Sequence, residues 1–259
     1  MLTTPVSYPA DGTAMNTLRK SAANIRLGEY IADATAESIA RYGLDMPRLV
    51  IRLHQAAGTI GAVGTTGSYA TTDYPEATIT LVIGEQESDL VDYVLYNGGI
   101  YRCSTLLLRG VMNADWQETI TRYPVLTALG NLASLSRETA DGVDTWVITR
   151  TEQVAENNEL VTDGEGNQVY DIALTKNGES ADYTAFSAAY NQLMMVTMSG
   201  RLPDGWTAAD APHTVWTFTD VDGTVHTVAL TRYDAMHDAV AIDGVALFYL
   251  IQGGFSLGI

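Results

Sequence analysis

Apolar positions near the start of the chain recur with a helical period. Met15, Leu18, Ala22 and Ile25 are spaced by three, four and three residues, which places them on one face of a helix. Asp11 stands just before this segment, where a carboxylate can accept hydrogen bonds from the free amides of the first turn. The pattern therefore predicts a capped helix with one apolar face.

A second, shorter helix is predicted directly afterwards. Thr35 is a suitable cap, and Gly43 is placed to end the helix in a left-handed conformation. Asp33 and Glu37 put acidic charge at the positive end of this helix. Pro47 cannot continue a helix and favours extended geometry in the residue before it.

The period then changes from helical to two, which is typical of half-buried strands. Two segments alternate in this way, with their apolar residues at Leu49, Ile51, Leu53 and at Ile79, Leu81, Ile83. Ala56–Pro75, between them, is rich in Gly, Thr and Ala and is expected to be a long loop or a ragged hairpin tip. Asn97-Gly98 separates two further strand-like runs and predicts a hairpin.

The middle of the chain mixes both patterns. Leu106–Met112 and Trp116–Leu129 are interpreted as helical turns, and Asp141-Gly142 as the turn of another hairpin. Glu156–Gln168 is polar and rich in turn residues, and Val169–Leu174 returns to a strand pattern.

The order of elements then recurs, so that residues 10–101 and 181–248 look like two copies of one unit. Ala181-Asp182 corresponds to Ala10-Asp11 and begins a helix over about 182–199, with apolar residues at Phe186, Ala189, Leu193 and Val196. Pro212 and the strand after it correspond to Pro47 and its strand. Asp238–Gly244 corresponds to Asp92–Gly98, with Asp-Gly replacing Asn-Gly as the turn.

The predicted fold class is α+β, built from two related units that each pack a helix on a small antiparallel sheet. The predicted boundaries are 1–104 for the first unit, 105–130 for a helical connection and 131–259 for the second unit. A counterpart of the hairpin at Asp141-Gly142 would precede Met1 in the first unit. We therefore expect that unit to be truncated at its start.

Composition narrows the class of partner. The net charge of −17 and the isoelectric point near 4.4 argue against binding to nucleic acid or to an anionic membrane surface. No apolar run is long enough to cross a bilayer. Cys103 is the only cysteine, which excludes an internal disulfide, and its apolar surroundings predict a small buried side chain rather than a nucleophile.

The histidines give no pattern of catalysis or metal binding. No two of them have the spacing of four that builds a helical zinc site. His226 is expected at a polar surface position, and His213 at the start of a strand. His237 with Asp234 and Asp238 admits a carboxylate–imidazole pair, although a polar turn explains these residues equally well.

Two further groups of residues have both a functional and a structural interpretation. Asp163–Asn167 followed by Asp171 resembles a calcium loop. Gln168 and Leu174, however, occupy the positions of its glycine and its bidentate glutamate, which favours a solvated turn. Five tyrosines of the first copy favour either a recognition surface or cross-strand packing, and packing is preferred: Tyr69, Tyr74, Tyr93, Tyr96 and Tyr101. No catalytic, metal or cofactor residues are therefore assigned, and ligand-binding residues are unknown.

A resemblance to a known family adds to this picture. Pro5-Val6, Ala10-Asp11 and Tyr42-Gly43-Leu44-Asp45-x-Pro47 appear in order, followed by Leu81–Gly84 and Asp92–Tyr96. In these residues the chain resembles the bacterial domain-of-unknown-function family four-three-four-zero. That family is similar to extracytoplasmic regions of auxiliary subunits of ABC-type transport systems, including those linked to gliding motility.

The resemblance implies a parent protein anchored in the membrane by a segment absent from this chain, with domains facing away from the cytoplasm. It implies no catalytic residues. The leading hypothesis is a non-catalytic interaction domain whose partners are transporter subunits in the cell envelope. One alternative is a module that binds an envelope sugar, peptide or lipid in a cleft between the units. Another is a hydrolase, with His237 and Asp238 as its candidate residues.

Overall fold

The computed structural model describes residues 1–63, 69–155 and 160–259. These residues form two compact units. The first unit is Gly12–Thr119, and the second unit combines Met1–Asp11 with Ile120–Ile259. Their limits differ from the predicted segments 1–104, 105–130 and 131–259, since the helix after residue 104 packs on the first helix of the chain.

The first unit contains three α-helices and two sheets among its described residues. In chain order its elements are α1 (Gly12–Ala23), β1 (Leu27–Asp33), α2 (Ala36–Arg41), β2 (Leu49–Gln55), β3 (Gly58–Val63), β4 (Tyr69–Tyr74), β5 (Ala77–Ser88), β6 (Val91–Tyr96), β7 (Gly99–Ser104) and α3 (Thr105–Met112). The main sheet is antiparallel with the order β1-β7-β6-β5-β2, and β3 and β4 pair separately.

Helix α2 ends in a corner that contacts β5. Thr35 and Ser38 form the capping box that begins the helix. At its other end, Gly43 has a φ of 66°, in the left-handed region where glycine is favoured. The amide of Glu85 donates to the carbonyl of Tyr42 at 3.0 Å. A Cβ at Gly84 would lie 2.3 Å from that same carbonyl oxygen, so the corner closes only with glycine there.

The core of the first unit lies between the sheet and α3. It consists of buried residues from four strands and one helix: Ile51, Leu81, Ile83, Val94, Cys103 and Leu108. Each large aliphatic side chain buried in this way contributes about 1.5–3 kcal/mol relative to an exposed one. Cys103 is 2% exposed, which confirms its prediction as a small buried side chain.

The second unit is built on one large sheet. Its elements are β8 (Leu132–Thr139), β9 (Gly142–Glu152), β10 (Tyr170–Lys176), β11 (Glu179–Ala181), α4 (Tyr183–Met194), β12 (Gly200–Arg201), β13 (Thr214–Asp220), β14 (Val225–Arg232), β15 (His237–Ile242) and β16 (Val245–Ile251). Their order is β11-β10-β9-β8-β13-β14-β15-β16-β12.

An aromatic core joins α4 to this sheet. Phe186 and Tyr190 of the helix are fully buried, with ring centroids 5.7 Å apart. Trp146 and Trp216 stack beneath them at 6.4 Å. The Tyr190 hydroxyl donates to the carbonyl of Thr127 at 2.9 Å, which satisfies the polar end of a buried ring. Burial, followed by the charge of Asp220, raises the pKa of Tyr190.

The strand orders of the two units correspond. Read from β1, the first sheet has the order β1-β7-β6-β5-β2, and the second sheet contains the order β12-β16-β15-β14-β13. Strands at the same position in the two orders also follow one another in the same sequence along the chain, once the separate pair β3–β4 is left out. The hairpins at Asn97-Gly98 and Asp243-Gly244 also agree, with both residues of each turn at positive φ. The mixed α+β class predicted from the sequence is confirmed.

Several local predictions need correction. Only Trp116–Glu118 of the predicted helical turns at 116–129 is helical, as a short 3-10 turn. The helix expected over 182–199 ends at Met194. Within Ala56–Pro75, where a loop or ragged hairpin tip was expected, β3 and β4 form a hairpin, and residues 64–68 lie outside the described part. Residues 156–159 of the polar segment Glu156–Gln168 also lie outside it.

Candidate functional site

A polar groove opens on the first unit where the end of β5 meets α3. Thr105, Arg109 and Met112 are spaced by four and three residues, so they share one face of the helix. Gln86 and Asp89 come from β5 and the turn after it. The groove has a volume of about 420 Å³ and is lined by Gln86, Asp89, Thr105, Arg109, Met112 and Asn113.

The backbone brings these two segments together. The pairing of β5 with β6 shifts register between Ile83 and Gln86, and again between Gln86 and Ser88. Such bulges bend a strand and redirect its side chains. The amide of Thr105 donates to the carbonyl of Leu90 at 2.9 Å, which fixes the start of α3 beside the turn. Both lips of the groove are therefore held by backbone contacts.

The groove carries two opposite charges that are not in contact with each other. Among the residues that the structure describes, neither Arg109 nor Asp89 makes an ion pair or a side-chain hydrogen bond. A guanidinium is suited to binding a carboxylate, and a carboxylate to binding an ammonium group or amides. Within this part of the chain, these two side chains are available to a ligand.

Asp92 in the first unit is a buried carboxylate with a single cationic partner in the described part of the chain. It is 0% exposed, and Arg48 forms an ion pair with its Oδ1. Arg48 also donates through Nε to the carbonyl of Gly84 at 2.6 Å. The Oδ2 of Asp92 has no hydrogen-bond partner in the described structure. Burial, followed by the charge of Asp92, raises the pKa of the Cys103 thiol, so this cysteine is not an activated nucleophile.

The second unit holds a counterpart of this pair. Asp238 is 2% exposed and occupies the second position of β15, as Asp92 does in β6. His213 follows Pro212 in the way Arg48 follows Pro47, and its Nε2 lies 3.2 Å from Oδ1 of Asp238. That contact has the distance of an ion pair but not the angle of a hydrogen bond, since Oδ1 has no hydrogen-bond partner in the described residues.

The other histidines pair separately with exposed carboxylates. The Nδ1 of His237 lies 2.9 Å from Asp234, whose pKa is lowered mainly by the amide of Met236. His226 lies 2.9 Å from Asp243. Because consecutive strand residues point to opposite faces, His237 and its neighbour Asp238 do not converge on one site. These two candidate residues of the hydrolase hypothesis therefore do not form a shared site.

The calcium-like segment forms a closed turn. Oδ1 of Asp163 accepts hydrogen bonds from the amides of Glu165 and Asn167, each at 2.9 Å. The Asn167 side chain makes the largest contribution to the lowered pKa of Asp163. Asp171 is engaged elsewhere, since it accepts from Gln153 at 2.6 Å. No group of three or more metal-binding side chains occurs in residues 1–63, 69–155 and 160–259.

Two of the five tyrosines pack against other tyrosines. Tyr93 lies 4.4 Å from Tyr42 between ring centroids, and Tyr101 lies 5.6 Å from Tyr30. The Tyr74 ring lies across Gly58 on the neighbouring strand, Tyr96 packs against the core, and the Tyr69 side chain lies outside the described residues. Of these contacts, those of Tyr101 and Tyr74 are made across paired strands.

The comparisons with known proteins give one match. A family model described as "Domain of unknown function (DUF4340)" matches residues 1–214. No curated protein and no solved structure matches the chain. Among the described residues, no helix has the length and apolarity required to cross a membrane.

Proposed function

This chain belongs to the DUF4340 family of domains of unknown function, and on that premise we propose that it is a non-catalytic interaction domain of a bacterial cell-envelope complex. The complex is an ABC-type transport system, and the domain faces away from the cytoplasm on a parent protein anchored in the membrane. The family resemblance supports the compartment and the class of partner.

The groove on the first unit supports the interaction role. Arg109 and Asp89 hold opposite charges at its surface, with no partner among the described residues. A partner segment that supplies a carboxylate and an ammonium or amide group satisfies both. Charge pairs of this kind direct association and select partners more than they add affinity.

Crosslinking in cells that produce the anchored parent protein tests this proposal. A photo-crosslinking amino acid replaces Met112 in the groove, and we expect crosslinks to a permease or ATPase subunit. Arg109→Glu should reduce their yield, whereas the matched change Arg19→Glu, on the exposed surface of α1, should leave it unchanged. Crosslinks that contain no transporter subunit would contradict the proposal.

A second candidate function is the binding of a small ligand in the same groove. Its volume lies in the range of small-molecule sites, and it carries both charges of a zwitterion. Titration calorimetry with the dipeptide Ala-Ala, its N-acetyl form and its C-terminal amide tests this candidate. Binding of the free dipeptide only would support it, and the absence of binding by all three forms would remove it.

We also propose that the two units arose by duplication of one α+β building block. The matching strand orders support this, together with the Arg48–Asp92 and His213–Asp238 pairs at corresponding positions. Determining the experimental structure of each unit tests the proposal. A failure of residues 12–104 to superpose on residues 183–251 would argue against a common origin.

A further inference from the structure

The strand β2 is an edge strand of its sheet, whereas its counterpart β13 lies inside its sheet. Within the described residues, β2 pairs with β5 alone, because the sheet order stops at β2. In the second unit, β13 pairs with β14 on one side and with β8 on the other. One edge of β2 therefore presents unpaired backbone donors and acceptors, whereas the corresponding edge of β13 is hydrogen-bonded to β8.

The correspondence between the strands fixes the register. Leu49 stands two residues after Pro47, and Thr214 stands two residues after Pro212. On this alignment Ile51 and Leu53 correspond to Trp216 and Phe218, and all four side chains are turned toward their own cores. Arg52 then corresponds to Thr217, which pairs with Ser136 of β8. A strand seated on β2 as β8 is seated on β13 places the equivalent of Ser136 opposite Arg52.

The charge of β2 favours some partner strands over others. From Arg48 to Gln55 the segment contains two arginines and one histidine and no acidic residue. Arg48 is committed to Asp92, and His54 lies 3.8 Å from Glu76, while Arg52 is exposed. Like charges on directly opposed strands are destabilising, so a second copy of β2 is a poor occupant. A strand with an acidic residue opposite Arg52 is a good one.

We propose that the free edge of β2 is a docking site for an extended strand of a partner polypeptide, added antiparallel with an acidic residue opposite Arg52. Strand addition obtains its affinity from main-chain hydrogen bonds and its specificity from alternate side chains. This surface involves different residues from the groove, so it goes beyond the function proposed above.

The test uses a peptide copied from the strand that occupies this position in the second unit. Residues 132–152, the β8–β9 hairpin, are synthesised with Ser136→Glu or with Ser136→Lys, and residue-resolved hydrogen exchange of Leu49–Gln55 is measured in the intact chain. The glutamate peptide should slow exchange along β2 and bind about fivefold more tightly than the lysine peptide. Arg52→Glu in the chain should reverse this preference, whereas Arg19→Glu should leave it unchanged.

Three outcomes would overturn the proposal. Exchange of the β2 amides that neither peptide changes would exclude strand addition at this edge. Slow exchange along both edges of β2 without peptide would show that the edge is already covered. Slowing that depends on the concentration of the chain alone would assign the edge to a second copy. Unfolding midpoints of the Arg52→Glu and Arg19→Glu variants within about 1 °C of the parent chain establish that both variants are folded.

Discussion

Removing the guanidinium that faces Asp92 should destabilise the first unit strongly. The carboxylate is 0% exposed, and Arg48 is its only cationic partner in the described structure. Arg48→Leu keeps an apolar side chain of moderate size at the position just before β2 but leaves the buried charge uncompensated. Deleting one member of a buried pair costs about 3–5 kcal/mol, mostly because the remaining charge is desolvated without compensation.

The partial exposure of Arg48 favours the lower end of this range of destabilisation. Its side chain is 35% exposed, so water screens part of the interaction and can partly hydrate the carboxylate after the substitution. We therefore expect a loss of about 3 kcal/mol in the free energy of unfolding. The double variant Arg48→Leu with Asp92→Leu removes both charges and should recover most of the loss, because apolar replacements of buried pairs are often neutral.

Urea unfolding followed by circular dichroism measures both effects. At a slope of about 2 kcal/mol per molar urea, Arg48→Leu should lower the midpoint of the first unit by roughly 1.5 M. The matched control Arg52→Leu, at an exposed position four residues further along, should stay within about 0.5 kcal/mol of the parent chain. A single variant as stable as that control, or a double variant no better than the single one, would refute the reasoning.

The remaining predictions concern the second unit. His213→Arg should raise the free energy of unfolding at neutral pH by about 1 kcal/mol, because an always-charged guanidinium then joins Arg232, whose Nε lies 3.8 Å from Oδ1 of Asp238; an unchanged urea midpoint would contradict this. Tyr8→Phe should be neutral or stabilising in thermal unfolding by up to about 1 kcal/mol, because the Tyr8 hydroxyl is buried without a partner in the described residues. Hydrogen bonding from Asn177 lowers the pKa of Asp144, so its contribution to stability is present above the ordinary aspartate pKa and is lost as pH falls through the lowered value. Asp144→Asn should therefore weaken the dependence of the unfolding midpoint on pH below about pH 4, and a pH profile identical to that of the parent would exclude it.

Elements with a strong local pattern could be predicted from the sequence. The cap at Thr35, the left-handed Gly43 and the turn at Asn97-Gly98 all depend on residues close together in the chain, and the structure confirms all three. Strand β1 was missed because Leu27–Asp33 has no clean alternation and contains Gly28. It pairs with β7 across two shifts of register, so tertiary contacts determine it rather than local propensity.

The candidate groove was beyond prediction for a similar reason. Asp89 and Arg109 line the same groove only because bulges bend β5 and because α3 folds back beside the turn after it. No short motif encodes a bulge whose position depends on the neighbouring strand. The spacing of Thr105, Arg109 and Met112 was a usable signal for one lip, but it gave no information about the other.

The corner between α2 and β5 gives a structural explanation for one short motif of the chain. In Tyr42-Gly43-Leu44-Asp45-x-Pro47, the tyrosine supplies the carbonyl that Glu85 binds, the glycine turns the backbone, and Leu44 is 5% exposed in the interior. Proline then directs the chain into an edge strand. These roles are architectural, so a protein with the same motif would share this corner but need not share a function. Residues that determine function within the family should therefore be sought at positions outside this corner.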